Sequence, residues 1–246
     1  MDCFSILLIM VIKMIKNELL SKNIKKAVFK NMMFYFISAS VFFISSGSIY
    51  VLRGWFLYTL LISGALYNNY ILLKNNPEVL EARADQGAET QNWDKTILFI
   101  YFITHTIFIP LLAGLDAVRF EWSNLPLFYL FIGIILYLLS LFIISRAMLA
   151  NKYFEGTVRI QTDRNQRVID KGPYQYIRHP GNLGMILTAF VPPLIIGSAY
   201  ALILSFFLAI IIIIRTNKED QLLQAELEGY IDYCERVKYR LIPLIW

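Results

Sequence analysis

Apolar and polar positions in this chain do not alternate; they separate into long blocks. Residues 32–52, 54–73, 96–115 and 123–145 carry no acidic or basic side chain except His105, and each is about 20 residues long. That is the length an α-helix needs to cross roughly 30 Å of hydrocarbon. A fifth block, residues 181–214, would make a helix of about 50 Å, too long for one crossing. Pro192 and Pro193, then Gly197 and Ser198, lie near its middle and predict a tight turn between two helices, the first of them short. The pattern predicts an all-α polytopic membrane bundle with about six crossings, the last two forming a helical hairpin, plus a cytoplasmic connector and a C-terminal helix. It divides the chain into a basic amphipathic segment (1–30), four spans (31–150) and a polar-rich core (151–246).

Composition agrees, with 57% hydrophobic residues and a net charge of +5. Six crossings leave only Arg53 and Arg119 on the far side, and the other 21 of the 23 lysines and arginines fall on one side. Cytoplasmic flanks collect these residues, so both termini are expected in the cytoplasm. Membrane topology accounts for the charge, and no basic folded domain suggests nucleic acid as a partner. The apolar run at 4–12 is too short to span and lacks a basic flank, so it does not read as a cleaved signal peptide. Lysines alternating with Ile15, Leu19, Ile24 and Val28 at helical spacing over 12–30 fit either an interfacial helix on anionic lipid or ordinary positive flanking sequence. Cys3 and Cys234 are both expected on the cytoplasmic side, where a structural disulfide is not. No metal-ligand spacing, phosphate loop or Ser/His/Asp grouping is present.

Polar residues outside the spans gather in three places. The connector at 74–95, with NNPEVLEARADQGAE, reads as a solvated linker with a short helix starting at Asn-Pro-Glu. At 151–180, Val158 and Ile160, then Val168 and Ile169, flank a polar turn and predict a small hairpin under the membrane. GPYQYIRHP follows, with Pro180 suited to a first helical turn and His179 just before it. In the third place, beginning RTNKED, Arg215 and Glu219 are four apart and share a helix face. The hairpin between Pro180 and Arg215 brings both clusters to one membrane surface. Carboxylates there suit ribose hydroxyls or an ammonium group, and aromatic faces suit a purine or a sulfonium. S-adenosylmethionine has these parts, and so do other nucleotides. His105, inside a span, reads as a neutral imidazole bonded to a neighbouring helix.

GPYQYIRHPGNLG, an apolar hairpin, RTNKED and YIDYCERVKYRLIPLIW together resemble the isoprenylcysteine carboxyl methyltransferase family of membrane enzymes, especially its prokaryotic members, and more distantly phospholipid N-methyltransferases. The likeness covers about the last 100 residues closely. It implies an S-adenosylmethionine-dependent methyltransferase, with an O-methyl transfer to a carboxylate as the expected reaction, in a prokaryotic inner membrane. The cofactor would be enclosed by Gln166, Arg167, Val168 and Ile169, by Tyr174, by His179, Pro180, Gly181 and Asn182, and by Glu219 and Asp220. The same likeness implies that Arg215 holds the substrate and, with Glu219, serves the reaction. Expected partners are a lipophilic or lipidated substrate and membrane lipids. Two positions depart from the family pattern: Asn182 stands where a tyrosine is usual, and Asp220 where many relatives carry a second glutamate. YCERVKYRLIP also resembles membrane sterol reductases, which use a nicotinamide cofactor, and a non-enzymatic lipid-binding protein is a third reading.

Overall fold

A computed structural model describes residues 21–84 and 90–246. The apolar run at 4–12, Cys3, Lys13 and Lys16 lie outside the described residues. Among the described residues eight helices of seven residues or more follow in order: α1 (Lys22–Ser46), α2 (Leu52–Asn75), α3 (Pro77–Ala84), α4 (Asn92–Arg119), α5 (Leu127–Ala150), α6 (Pro180–Ile196), α7 (Ala199–Glu226) and α8 (Tyr230–Arg236). Among the described residues there is no strand. Five helices, α1, α2, α4, α5 and α7, are long and apolar enough to cross a membrane, and α6 is a shorter apolar helix of 17 residues. The expected all-α membrane bundle is therefore the fold observed, with a short apolar helix where the fifth crossing was expected.

The exposed side of the bundle is apolar, the inverse of a water-soluble protein. Phe128, Phe131, Ile135, Leu138 and Phe142 of α5 recur at helical spacing and are all exposed, as are Ile203, Phe206 and Ile210 of α7. Such stripes suit acyl chains. The opposite stripe of α7, Ala201, Ser205, Leu208 and Ile212, is buried and continues into Arg215 and Thr216. The register that packs the helix therefore also carries its polar end inward.

Helix α6 runs straight through Pro192 and Pro193, and the chain reverses at Gly197, whose φ of 97° is a left-handed conformation that a side chain would strain. The expected turn thus falls wholly on Gly197 and Ser198. Each proline removes an N–H and frees the carbonyl four residues back, which in hydrocarbon has no water to accept from. Ser205 Oγ donates to the Ala189 carbonyl at 2.7 Å, and the His105 ring meets the Thr188 backbone. Neighbouring helices thereby repair the ladder. At the outer end of the hairpin, the Asp116 carboxylate accepts from Ser123 Oγ, Ser198 Oγ and the Tyr200 N–H, which pins the turn to the end of α4.

Two expectations about the polar segments change. The hairpin expected between 158–160 and 168–169 does not form. Val158 pairs instead with the start of α4, donating its N–H to Asp94 Oδ2 at 2.7 Å and accepting from the Gln91 N–H. Gln161 accepts at its side chain from Arg164, takes the Gln166 Oε1 at its backbone N–H, and holds the Tyr153 carbonyl through Nε2. Side chains have claimed the groups a two-stranded ladder would use, so the connector is a strapped coil with short 3-10 turns at Thr162–Arg164 and Gly172–Gln175. The linker helix α3 starts at Pro77 as expected, yet it is not merely solvated: Val79 and Leu80 are buried against Ile24, Val28 and Leu72, and Asn76 Nδ2 donates to the Met148 carbonyl.

Candidate active site

His179 closes the connector and caps α6, with Pro180 as the first helical residue. A helix that begins with proline loses nothing there, because its first N–H groups have no intrahelical acceptor. The backbone N–H groups of Arg178 and His179 donate to the carbonyls of Tyr239 and Arg240, so the C-terminal strap fixes this corner. One turn into α6, Asn182 faces α7. Its Nδ2 donates to Glu219 Oε2 at 2.8 Å and to Thr216 Oγ1 at 3.1 Å, while its Oδ1 accepts from Arg215 Nη1. The residue that departs from the expected tyrosine is thus the bridge between the two helices of the hairpin.

Arg215 is held from three sides. Nε donates to Asp94 Oδ1 at 2.8 Å, Nη1 to Asn182 and at 3.3 Å to Glu219 Oε2, and both Arg215 and Asp94 are buried. Asp94, at the first turn of α4, also takes the Val158 N–H, so one carboxylate joins the third span, the connector and the last span. Sequence reasoning missed it, since 121 positions separate it from Arg215. Its only signal was an acidic side chain at the mouth of an apolar span, where a helix N-terminus alone accounts for it.

Asp220 occupies a different place from its neighbour. Its side chain is fully enclosed, accepting from Arg178 Nε and Nη2 at 2.8 and 3.1 Å, Arg240 Nε at 2.8 Å, Gln224 Nε2 at 2.8 Å and Tyr230 Oη at 3.1 Å, and it meets His179 Nε2 at 3.0 Å. Arg178 also donates to the carbonyls of Val237 and Lys238. This carboxylate ties α6, α7, α8 and the C-terminal strap together. Burial disfavours a charge on His179, but its bonds with Asp220 and with the Glu219 carboxylate, 3.7 Å from Nδ1, outweigh that and raise its pKa above the ordinary imidazole value. Burial likewise pushes the phenols of Tyr174, Tyr230 and Tyr233 up, so they act only as neutral donors and acceptors.

A cavity of about 370 Å³ connects these groups to the interior of the bundle. Its polar end is walled by the connector residues Gln166, Arg167, Val168 and Ile169, by Tyr174, and by His179, Pro180, Gly181, Asn182, Arg215 and Glu219. Asp220 does not line it. Tyr230 and Tyr233, three apart on one face of α8, complete this end; Tyr233 Oη donates to the Tyr174 carbonyl at 2.7 Å, and Asn151 Nδ2 donates to Tyr174 Oη. From there the cavity passes between α1, α2, α4, α5 and α6, among Tyr35, Leu61, Leu98, Phe102, Leu141 and Met185. One end is rich in hydrogen-bonding groups and the other in hydrocarbon. Among the described residues no cluster of His, Cys, Asp and Glu has metal-ligand geometry.

Residues 130–225, which hold most of α5, all of α6 and nearly all of α7, match the Isoprenylcysteine carboxyl methyltransferase (ICMT) family. A stretch of 94 residues is 29% identical to the Delta(14)-sterol reductase TM7SF2 of Mus musculus, covering 37% of this chain. The match spans 22% of that reductase's own length.

Proposed function

We propose, on the premise that residues 130–225 belong to the isoprenylcysteine carboxyl methyltransferase family, that this multi-pass membrane protein transfers a methyl group from S-adenosylmethionine to a lipophilic substrate at the cytoplasmic membrane face. The observation that carries the reading is the continuity of the cavity from His179, Asn182 and Glu219 to the apolar interior between the spans. Two reactants of opposite solubility meet only where water and hydrocarbon open onto one space. The donor set fits the cofactor: Glu219 for hydroxyl or ammonium groups, the Tyr174, Tyr230 and Tyr233 wall for a flat base, and the 166–169 backbone along one side.

Bound there, S-adenosylmethionine supplies an electrophilic methyl group on a sulfonium. The chain's own residues position and desolvate. Displacement at a methyl carbon needs alignment and exclusion of water more than a strong base. Arg215 is the positioning group for a substrate carboxylate. With Nε and Nη1 already bonded to Asp94, Asn182 and Glu219, it offers Nη2 to that carboxylate in place of a full fork. Glu219 keeps Arg215 oriented through Oε2 and is itself part of the cavity wall.

Calorimetric titration of the detergent-purified protein with S-adenosylmethionine, S-adenosylhomocysteine and NADPH tests the reading. Saturable binding of the sulfur nucleotides is expected, weakened about 10- to 100-fold in Glu219→Ala, the range set by losing a hydrogen bond to a charged group. Arg215→Ala should abolish turnover and keep most of that binding; loss of cofactor affinity alone would sink this division of labour. The likeness to a sterol reductase favours a second reading, hydride transfer from a nicotinamide. NADPH binding without S-adenosylhomocysteine binding would put it first, and binding of neither would leave a lipid-binding protein.

A further inference from the structure

We infer that the membrane-buried end of this cavity is a subsite for a hydroxyl group on the apolar ligand, accepted by Nε2 of His105. The inference deepens the reading above and rests on the cavity being the site of a lipophilic reactant.

His105 lies about 20 Å along α4 from Asn92, well inside the span, and lines the cavity. Its ring stacks on Tyr101 with centroids 5.8 Å apart and planes 12° from parallel, so its orientation is fixed. The ring meets the Thr188 backbone, whose carbonyl is the one that Pro192 deprives of its helical N–H. An imidazole that donates from one nitrogen presents a lone pair at the other. That other nitrogen, Nε2, is buried and has no partner among the described residues. An acceptor left dry in hydrocarbon is costly, and a donor brought by the ligand would relieve it.

The neighbouring polar groups do not compete for it. Tyr101 Oη donates to the Met185 carbonyl at 2.8 Å, Tyr137 Oη to the Leu61 carbonyl at 3.2 Å, and Ser140 and Thr188 bond each other and the Gly184 carbonyl. These residues line the same stretch with their own hydroxyl protons committed, whereas Nε2 is a buried side-chain atom of the lining without a partner among the described residues. From Asn182 to Thr188 the path follows six residues of α6, about 9 Å. A ligand whose reactive group sits at Arg215 and Asn182 therefore carries its hydroxyl at a set distance along the tail, and an unsubstituted hydrocarbon tail leaves Nε2 unmet.

Binding of octanoic, decanoic and dodecanoic acids and of their ω-hydroxy counterparts to the detergent-purified full chain tests this by calorimetry, with wild type, His105→Phe and His105→Gln. The wild type should bind the ω-hydroxy acid of one chain length about tenfold more tightly than its parent, the gain of roughly one good hydrogen bond. His105→Phe should reverse that preference, because the hydroxyl is then desolvated with nothing to donate to, while binding of the parent acids holds. His105→Gln, which keeps an acceptor, should retain part of it. Equal or weaker binding of every hydroxy acid by the wild type overturns the subsite, and so does a preference that His105→Phe leaves intact. S-adenosylhomocysteine titrated into the same samples separates the two readings. Its binding without a hydroxyl preference refutes the subsite alone, and a hydroxyl preference without it refutes the methyltransferase alone.

Discussion

Adjacent carboxylates on α7 should respond to neutralisation in opposite ways. Asp220→Asn keeps the side chain's shape but leaves Arg178 and a raised-pKa His179 without their anion in a site where the aspartate side chain is 0% and the arginine side chain 5% exposed. Breaking one side of such a buried pair costs about 3–5 kcal/mol. Arg240, 26% exposed, adds little because water screens it. The new amide also turns an N–H₂ toward donors, Arg240 and Gln224, that had an acceptor. At about 2–4 °C per kcal/mol for a chain of this size, the melting temperature should fall by about 6–20 °C. Glu219→Gln, 23% exposed, lining the cavity and bonded to Arg215 at 3.3 Å against the several bonds of Asp220, should cost less than Asp220→Asn while weakening S-adenosylhomocysteine binding. Intrinsic-fluorescence melting of both variants in one detergent, with calorimetry on the same samples, reads the contrast. An Asp220→Asn protein that melts within about 2 °C of wild type refutes the assignment of this carboxylate to the clamp.

Three further outcomes follow from the same geometry. His179 has a folded-state pKa above its ordinary value of about 6.5, with Asp220, Glu219, Tyr230 and Arg178 around it, so its stabilising contribution is complete below about pH 6.5 and is lost as pH rises through the folded value. His179→Gln should flatten that part of the melting-temperature profile, and a wild type already as flat as the variant contradicts this. Asp94→Asn weakens the Nε anchor of Arg215 yet keeps an acceptor for Val158, so methyl-transfer kcat should fall at least about tenfold with cofactor affinity nearly unchanged; a fall in affinity of the same size would place Asp94 in the cofactor site instead. Gly197→Ala places a side chain at φ 97° beside Arg53 and the Leu125 carbonyl, and should destabilise by about 1–2 kcal/mol in thermal melts, against no change if the turn can relax.

Much of the architecture was legible in one dimension. Twenty uncharged residues in a row have one inexpensive conformation in hydrocarbon, a helix that satisfies its own backbone, so the spans and the short helix beginning at Pro180 follow from composition and spacing. The pairing of Arg215 with Glu219 follows from helical period. The hairpin expected at 158–169 failed because alternation cannot reveal that Gln161, Gln166 and Asp94 will claim the backbone groups first. Nor could proximity in sequence separate Glu219 from Asp220: one residue of rotation, about 100° around α7, points the first at the cavity and the second into the clamp.

What the sequence by itself determined is therefore which segments enter the membrane and which polar residues stand at its edge, because the bilayer acts as a solvent on each segment separately. What only the tertiary structure decided is the partnership of those residues. Asp94 with Arg215, Asn182 as the bridge between α6 and α7, and His105 beneath a carbonyl freed by Pro192 all depend on which helix lies beside which. Short-range polar contacts select their partners only after the apolar faces have packed.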